Sequence, residues 1–323
     1  MNEIELNHQI IATLYKCLLG RYPESAEVVL GHLNFSKTVD ELIAKIKSSD
    51  EYVTSGAASY IDVVGRNYWA RADDQSDSTD KCSVEIVDAL FQRLQRQWKL
   101  LGSTEPYWSV LSSDSFQMTN FEHHRAQFFA SGYENLRLIH GFFSRNGIPM
   151  PSGICLELGC GVGRVTIPLS TIFQKVIGLD VSEGNLALCR KHIAAEGRTN
   201  AESCLVVSPS DYESLPKHDF FFSFIVLQHN PPPLQEYILG KILGKTNPGG
   251  VCLFQMATNT PNYRFDIAEF LAQPSGVIDM HSLPMKVVFS LLHQHGFRLL
   301  EVINDPWTGL YGSHTFFAIK DNS

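Results

Sequence analysis

Two carboxylates and three glycines carry the most specific chemistry in this sequence. Glu157 stands two residues before Gly159, Gly161 and Gly163 follow at alternate positions, and Asp180 ends the apolar run Val176–Asp180. A loop with glycine at these positions turns tightly and lets a ligand touch bare backbone, because no Cβ intervenes. Glu157 offers negative charge to an ammonium group. The free N–H groups of a helix starting after the loop would seat an anionic group such as a carboxylate. A carboxylate at a strand end, as at Asp180, can accept both hydroxyls of a ribose lying across the sheet edge. The set suits an adenosine that carries an amino-acid group.

A dinucleotide site uses the same strand, glycine loop and helix, with an acid about 20 residues further on. Here the spacing is Gly-x-Gly-x-Gly, with Arg164 where a third dinucleotide glycine could stand. An acid two residues before the first glycine would also repel a pyrophosphate. A tight turn with no ligand is the bland alternative.

Two histidines could move a proton near neutral pH. His229 follows the continuous apolar run Asp219–Leu227, which reads as a central strand buried on both faces. His281 lies in a stretch, 257–283, without clear periodicity. Asn230 with its three following prolines reads as a helix cap and a proline-rich first turn. Asp211, in Ser208-Pro209-Ser210-Asp211-Tyr212, is open to two readings, a ligand contact or a local turn cap. No acidic cluster follows the fourth or fifth strand, so no metal site is expected.

The elements that must position these residues alternate. Ile154–Leu158 is a strand, and Val165, Leu169 and Ile172 form one face of a helix that Pro168 should kink. Leu186, Cys189 and Ile193 give the next helix, and Cys204–Val207 a third strand. Leu234, Ile238 and Ile242 precede strand Val251–Gln255, helix Leu283–His295 is closed by Gly296, and Arg298–Ile303 with His314–Lys320 make a final pair. Upstream, Val87, Leu90, Phe91, Leu94 and Trp98 share one helical stripe and read as core, and a long helix covers Phe121–Phe143. Residues 8–53 read as a small helical unit, with Ile11, Leu14, Tyr15 and Leu18, then Val39, Leu42, Ile43 and Ile46, at helical spacing. Ala72–Lys81 loses almost all apolar residues and reads as a linker. The expected division is a helical domain over 1–71, a linker and helical cap over 72–149, and a catalytic domain over 150–323.

The chain of 323 residues is 44% hydrophobic, enough for a packed core, and its 26 basic against 34 acidic side chains leave a net charge of -8. Nucleic acid is therefore a disfavoured partner. No apolar run reaches the ~20 residues that span a bilayer, and MNEIELNHQI has no basic stretch leading an apolar core, so a cytoplasmic location is expected. Seven cysteines, an odd number without a CxxC pair, read as buried thiols.

The segment ICLELGCGVGR with VIGLD resembles the class I S-adenosylmethionine (SAM) methyltransferases. Leu-Gln-His at 227–229 and Pro-Gly-Gly at 248–250 resemble them too. The resemblance implies a Rossmann-like α/β fold, a seven-stranded and mostly parallel sheet whose last strand runs antiparallel. It implies SAM as cofactor, held by Glu157, Gly159, Cys160, Gly161, Gly163, Asp180 and Val181, with Asp211 and Tyr212 at the adenine and Leu227 and Gln228 below the methyl group. It places His229, with His281 second, as the candidate base. It also brings the segment before the first strand, with Tyr107, Trp108 and Tyr133, near the site. The phrase Leu14-Tyr15 to Ser49-Asp50-Glu51-Tyr52 resembles a helical domain of unknown function in bacterial surface-layer and polysaccharide-related proteins, implying either a docking module for a protein partner or a packed extension. Glu105–Phe116 and Cys155–Arg164 resemble methyltransferases encoded with bacterial surface-polysaccharide enzymes. The expected activity is methyl transfer to a small-molecule or saccharide acceptor, with oxygen the favoured atom, in surface-polysaccharide biosynthesis. The alternative is a catalytically silent assembly protein on the same fold.

Overall fold

Strands buried on both faces read as unbroken apolar runs, and Ile154–Leu158 and His218–Ser223 form the middle of the sheet in this way. The computed structural model describes residues 7–19, 23–36, 38–51, 84–258, 260, 263, 265–272, 278–308 and 312–322. Its strands are β1 (Ile154–Leu158), β2 (Lys175–Asp180), β3 (Ala201–Leu205), β4 (His218–Ser223), β5 (Thr246–Ala257), β6 (Phe297–Asn304) and β7 (Ser313–Lys320). They form one seven-stranded sheet of order β3-β2-β1-β4-β5-β7-β6. Neighbours from β3 to β5 pair in parallel, and β7 runs antiparallel between β5 and β6. This is the expected Rossmann-like arrangement. The order reverses between β1 and β4, and such a reversal opens a crevice at the carboxyl ends of the strands.

The helices are α1 (His8–Leu19), α2 (Ala26–Phe35), α3 (Val39–Lys47), α4 (Val84–Thr104), α5 (Pro106–Val110), α6 (Phe121–Asn146), α7 (Thr166–Leu169), α8 (Glu183–Ala195), α9 (Pro232–Lys245), α10 (Ile267–Ala272) and α11 (Met285–Gln294). α1 to α3 belong to one compact unit and α4 to β7 to another. In the first unit Ile11, Tyr15, Val29, Leu42 and Ile46 form the core, and the Tyr15 hydroxyl lies 2.6 Å from His32 Nε2. Helix α2, capped by the Ser25 hydroxyl, was not marked by a clear apolar period in the sequence. The side chain of Leu18 and the linker over 72–81 lie outside the described residues.

Aromatic rings fill one face of the large sheet. Phe142 and Phe143 of α6 meet Phe317 at 5.5 and 5.0 Å, and Phe173 stacks on Phe220 at 5.3 Å. Each fully buried Phe contributes about 2 kcal/mol by leaving water. α6 therefore has a fixed seat, and it passes so near the glycine loop that a Cβ on Gly132 would overlap the Arg164 carbonyl oxygen. Gly132 lies within the unbroken helix and lets α6 reach the loop.

Several elements differ from the sequence-based expectation: β5, expected over 251–255, runs from Thr246 to Ala257, and α10 forms within 257–283, where the sequence has no clear periodicity. β3 lies at 201–205 rather than 204–207, because it pairs along β2 and not along its own apolar run. β4 stops at Ser223, since Ile225 takes a left-handed φ of 57° and turns the chain. The helix expected after the glycine loop is the single turn α7; Pro168 has no N–H to continue it.

Gly132→Ala is expected to cost about 1–3 kcal/mol, the usual range for forcing atoms into a packed site. Gly141→Ala, on the same helix but with its nearest contact at 3.4 Å, should gain about 0.5–1 kcal/mol from helix propensity. Urea unfolding of both variants checks the sign difference; equal effects would contradict the close crossing.

Candidate functional site

The carboxyl ends of β1, β2 and β4 surround a cavity that opens to solvent. β1 delivers Glu157 into its wall. That side chain is 3% exposed, and its Oε2 accepts a 2.6 Å hydrogen bond from the Thr166 hydroxyl. Burial pushes its pKa up to about 7; the Thr166 bond and the Arg164 charge oppose the rise, and Asp180 adds to it. Glu157 is a carboxylate whose charge is short of a partner.

The glycine loop is tied to β2 by bonds from the Gly159 and Cys160 N–H groups to the Leu179 carbonyl, at 2.7 and 3.0 Å. Gly161 then donates to Asp180 Oδ2 at 2.9 Å, while Ser182 N donates to Oδ1 at 2.8 Å. Gly161 has φ 53°, and a Cβ there would press on Val110, so this turn excludes other residues. Burial raises the Asp180 pKa against these backbone bonds. Each carboxylate oxygen has lone pairs for more than one donor, so both Asp180 oxygens can still accept from a ligand.

Arg164, at the end of the loop, lines the cavity. Its NH1 donates to Ser131 Oγ at 3.2 Å and Asn135 Oδ1 at 3.0 Å on α6, and its buried Nε has no hydrogen-bond partner among the described residues. Burial lowers its pKa to about 10 against the pull of Glu157. The cavity thus holds one cation and two carboxylates, fixed by separate elements.

His229 closes the far wall from a short helical turn, Leu227–His229. Its Nδ1 lies 3.1 Å from the Asp279 carbonyl oxygen. A carbonyl can only accept, so Nδ1 carries the proton and Nε2 keeps a lone pair. Burial lowers the pKa, opposed by the bond to and the charge of Asp279, which keeps the ring neutral near pH 7. Trp98 stands edge-on to it, with ring centres 5.2 Å apart. Leu94, Val110, Phe224, Ile225 and Val226 supply the apolar wall.

Residues 155–250 match the family described as "Methyltransferase domain". They form a class I SAM-dependent methyltransferase domain. Among curated proteins, the chain is 30% identical over 112 residues to the ubiquinone biosynthesis O-methyltransferase of Dinoroseobacter shibae, covering 33% of this chain and 42% of that one. It is 28% identical over 145 residues to the protein of the same name from Nitrosococcus oceani, covering 43% and 60%. The chain thus spans about half the length of these two relatives. Among solved structures, magnesium protoporphyrin IX methyltransferase from Synechocystis PCC 6803 with bound SAH superposes with a TM-score of 0.49 at 14% identity, over 71% of this chain and all of that one. SAM is the cofactor of this domain class.

Within the methyltransferase domain, Glu157, Gly159, Cys160, Gly161, Asp180, Val181, Tyr212 and His229 meet at one cavity. The other expected residues do not line it. Gly163 faces the Cys189 sulfur, and Leu227 and Gln228 are fully buried beside the turn. Asp211 accepts from the Val207 and Ser208 N–H groups at 2.7 and 3.0 Å, so the turn-cap reading describes its contacts. His281 packs between Phe265 and Phe270 behind His229, where burial lowers its pKa to about 4. Asn230 lines the cavity and is not the helix cap. Its amide donates to the Val226 carbonyl at 3.0 Å, and Pro231 holds the cap position without a side-chain bond.

The aromatic residues expected nearby divide differently. Tyr107 stacks on Phe121 inside a separate cluster and Tyr133 is 43% exposed; neither they nor Trp108 line the cavity. Trp98, read from its stripe as core, is half-buried and does line it. Arg164 was visible in the sequence as the charge ending the glycine loop. The single-turn α7 has too short a dipole to seat an anion, which leaves Arg164 as the cation there.

Glu157 also links pH to stability. Its pKa is raised on folding, so the folded state holds the proton between about 4.5 and 7, and stability declines as pH rises through that window. By the same arithmetic Glu157→Gln should gain on the wild type by about 3 kcal/mol at pH 8 and little at pH 4. Chemical unfolding of the ligand-free chains at both pH values checks this; a pH-independent difference would refute the shift.

Proposed function

We infer that the chain transfers a methyl group from SAM to a hydroxyl oxygen of a small-molecule acceptor. Support comes from the opposed charges of Glu157 and Arg164 beside Asp180, at the point where the strand order reverses. The residues present fit the cofactor. Glu157, a buried carboxylate lacking a full counter-charge, would hold the ammonium; Arg164, with its Nε unbonded, would hold the carboxylate. Asp180 would accept the ribose hydroxyls, and Tyr212, buried in the same wall, would flank the adenine. When bound, SAM supplies a methyl group already activated on a sulfonium, so in-line alignment supplies much of the rate.

The chain's own contribution is then position and one proton. His229 Nε2 would take the proton of the acceptor hydroxyl, and the Asp279 carbonyl would steady the resulting imidazolium through Nδ1. Oxygen is favoured by this neutral ring and by the two relatives, both named O-methyltransferases. A saccharide acceptor in surface-polysaccharide biosynthesis is supported by the resemblances of residues 14–52 and 105–116. On this reading the 72–149 segment caps the 150–323 domain, and the 1–71 unit serves a protein partner. The silent-scaffold alternative is opposed by the retention of both carboxylates and the glycine cradle.

Calorimetric titration with SAM and with its demethylated product should give saturable binding that Asp180→Ala weakens. Because the ammonium needs an ionised Glu157, affinity for SAM should fall below pH 7, approaching about tenfold per unit. Glu157→Gln should bind weakly and without that slope. No binding by the folded chain, or an affinity flat between pH 5.5 and 8, would overturn the assignment.

A further inference from the structure

α4 does more than wall the cavity with Leu94 and Trp98. Arg93 on the same helix is 2% exposed, a burial that arginine rarely accepts without a partner. Its NH1 and NH2 both lie 3.4 Å from Asp279 Oδ2, and its guanidinium carbon sits 3.8 Å from the centre of the Phe270 ring. Both partners belong to the stretch after β5, so one guanidinium grips that stretch by charge and by cation–π contact. Among the described residues, Arg93 Nε has no hydrogen-bond partner. An apolar side chain would fill this place without leaving a donor unsatisfied, so packing alone gives no reason for arginine here.

The stretch that Arg93 grips is the one that fixes His229. His281 N donates to the Gln228 carbonyl at 2.6 Å, Gln235 Nε2 reaches the His281 carbonyl at 3.4 Å, and the Asp279 carbonyl accepts a hydrogen bond from His229 Nδ1–H. Among the described residues, the hydrogen-bond contact to His229 Nε2 is the Gln228 amide, at 3.5 Å. Left to itself a histidine ring prefers the opposite tautomer, with its proton on Nε2 and no lone pair there for an acceptor hydroxyl. The Asp279 carbonyl must therefore be held in place for the productive tautomer to persist.

We propose that Arg93 is a positioning residue for His229: by clasping Asp279 and Phe270 it keeps the Asp279 carbonyl on Nδ1 and leaves Nε2 as the proton acceptor. This rests on the reading of His229 as the base. The test is a nitrogen-15 correlation spectrum of the whole chain labelled at histidine, recorded at pH 8, with the His229 signals identified by their loss in His229→Gln. The wild type should show a protonated Nδ1 and a bare Nε2. In Arg93→Gln the two nitrogen shifts should move toward each other as the tautomers mix, and Arg93→Lys should restore part of their separation. Asp279→Asn keeps the carbonyl but loses the charge, and should mix them as well; it carries the test if Arg93→Gln does not fold. A wild type protonated at Nε2, or a folded Arg93→Gln or Asp279→Asn chain with the wild-type pattern and only a lower melting temperature, overturns the proposal. The readout needs neither cofactor nor acceptor, so its failure is distinct from a failure to bind SAM.

Discussion

Everything around the cavity follows from placing a carboxylate almost wholly out of water. Glu157 must sit at the end of a strand whose neighbours are apolar on both faces, because only there do two strands part and leave a crevice. Burial raises its pKa to about 7, which makes an ionised Glu157 a cost to the folded chain and an attraction for any cation that enters. Thr166 and Arg164 moderate that cost without cancelling it. The same tension that destabilises the empty site is available to bind a ligand.

Sequence alone carried the centre of this design. The glycines, Glu157 and Asp180 were legible because each is a residue type that the local geometry demands, and β1 and β2 because their apolar runs are continuous. What stayed hidden depends on partners distant in the chain. Trp98 shares the stripe of Leu94 and nothing in its spacing says that the next layer is missing above it. Asp211 and Asn230 are polar residues in turns, and whether such a side chain faces inward or caps its own backbone is decided by torsions that no pattern records. β4 ended early because Ile225 adopts a conformation foreign to a β-branched residue, and strain of this kind leaves no mark in composition. Such strain gathers at functional walls, where surrounding packing over-determines it.

The cavity also draws on chain segments outside the strands themselves. α4 and α5 precede β1, and Asp279 follows β5, yet all three meet His229 or the glycine loop. The strands provide the charges. Among the flanking segments, Asp279 orients the His229 ring, and Val110 of α5 packs directly on Gly161 of the glycine loop.

The antiparallel β7 has a consequence for how the protein is made. It lies between β5 and β6, so β5 offers an open edge until the residues up to Lys320 have left the ribosome. At about 5–20 residues per second, the 63 positions separating Ala257 from Lys320 keep that edge bare for several seconds. An uncovered strand rich in Val, Cys, Leu and Phe is a template for pairing with another chain. Until β7 arrives, the nascent chain is thus exposed to misassembly along the β5 edge.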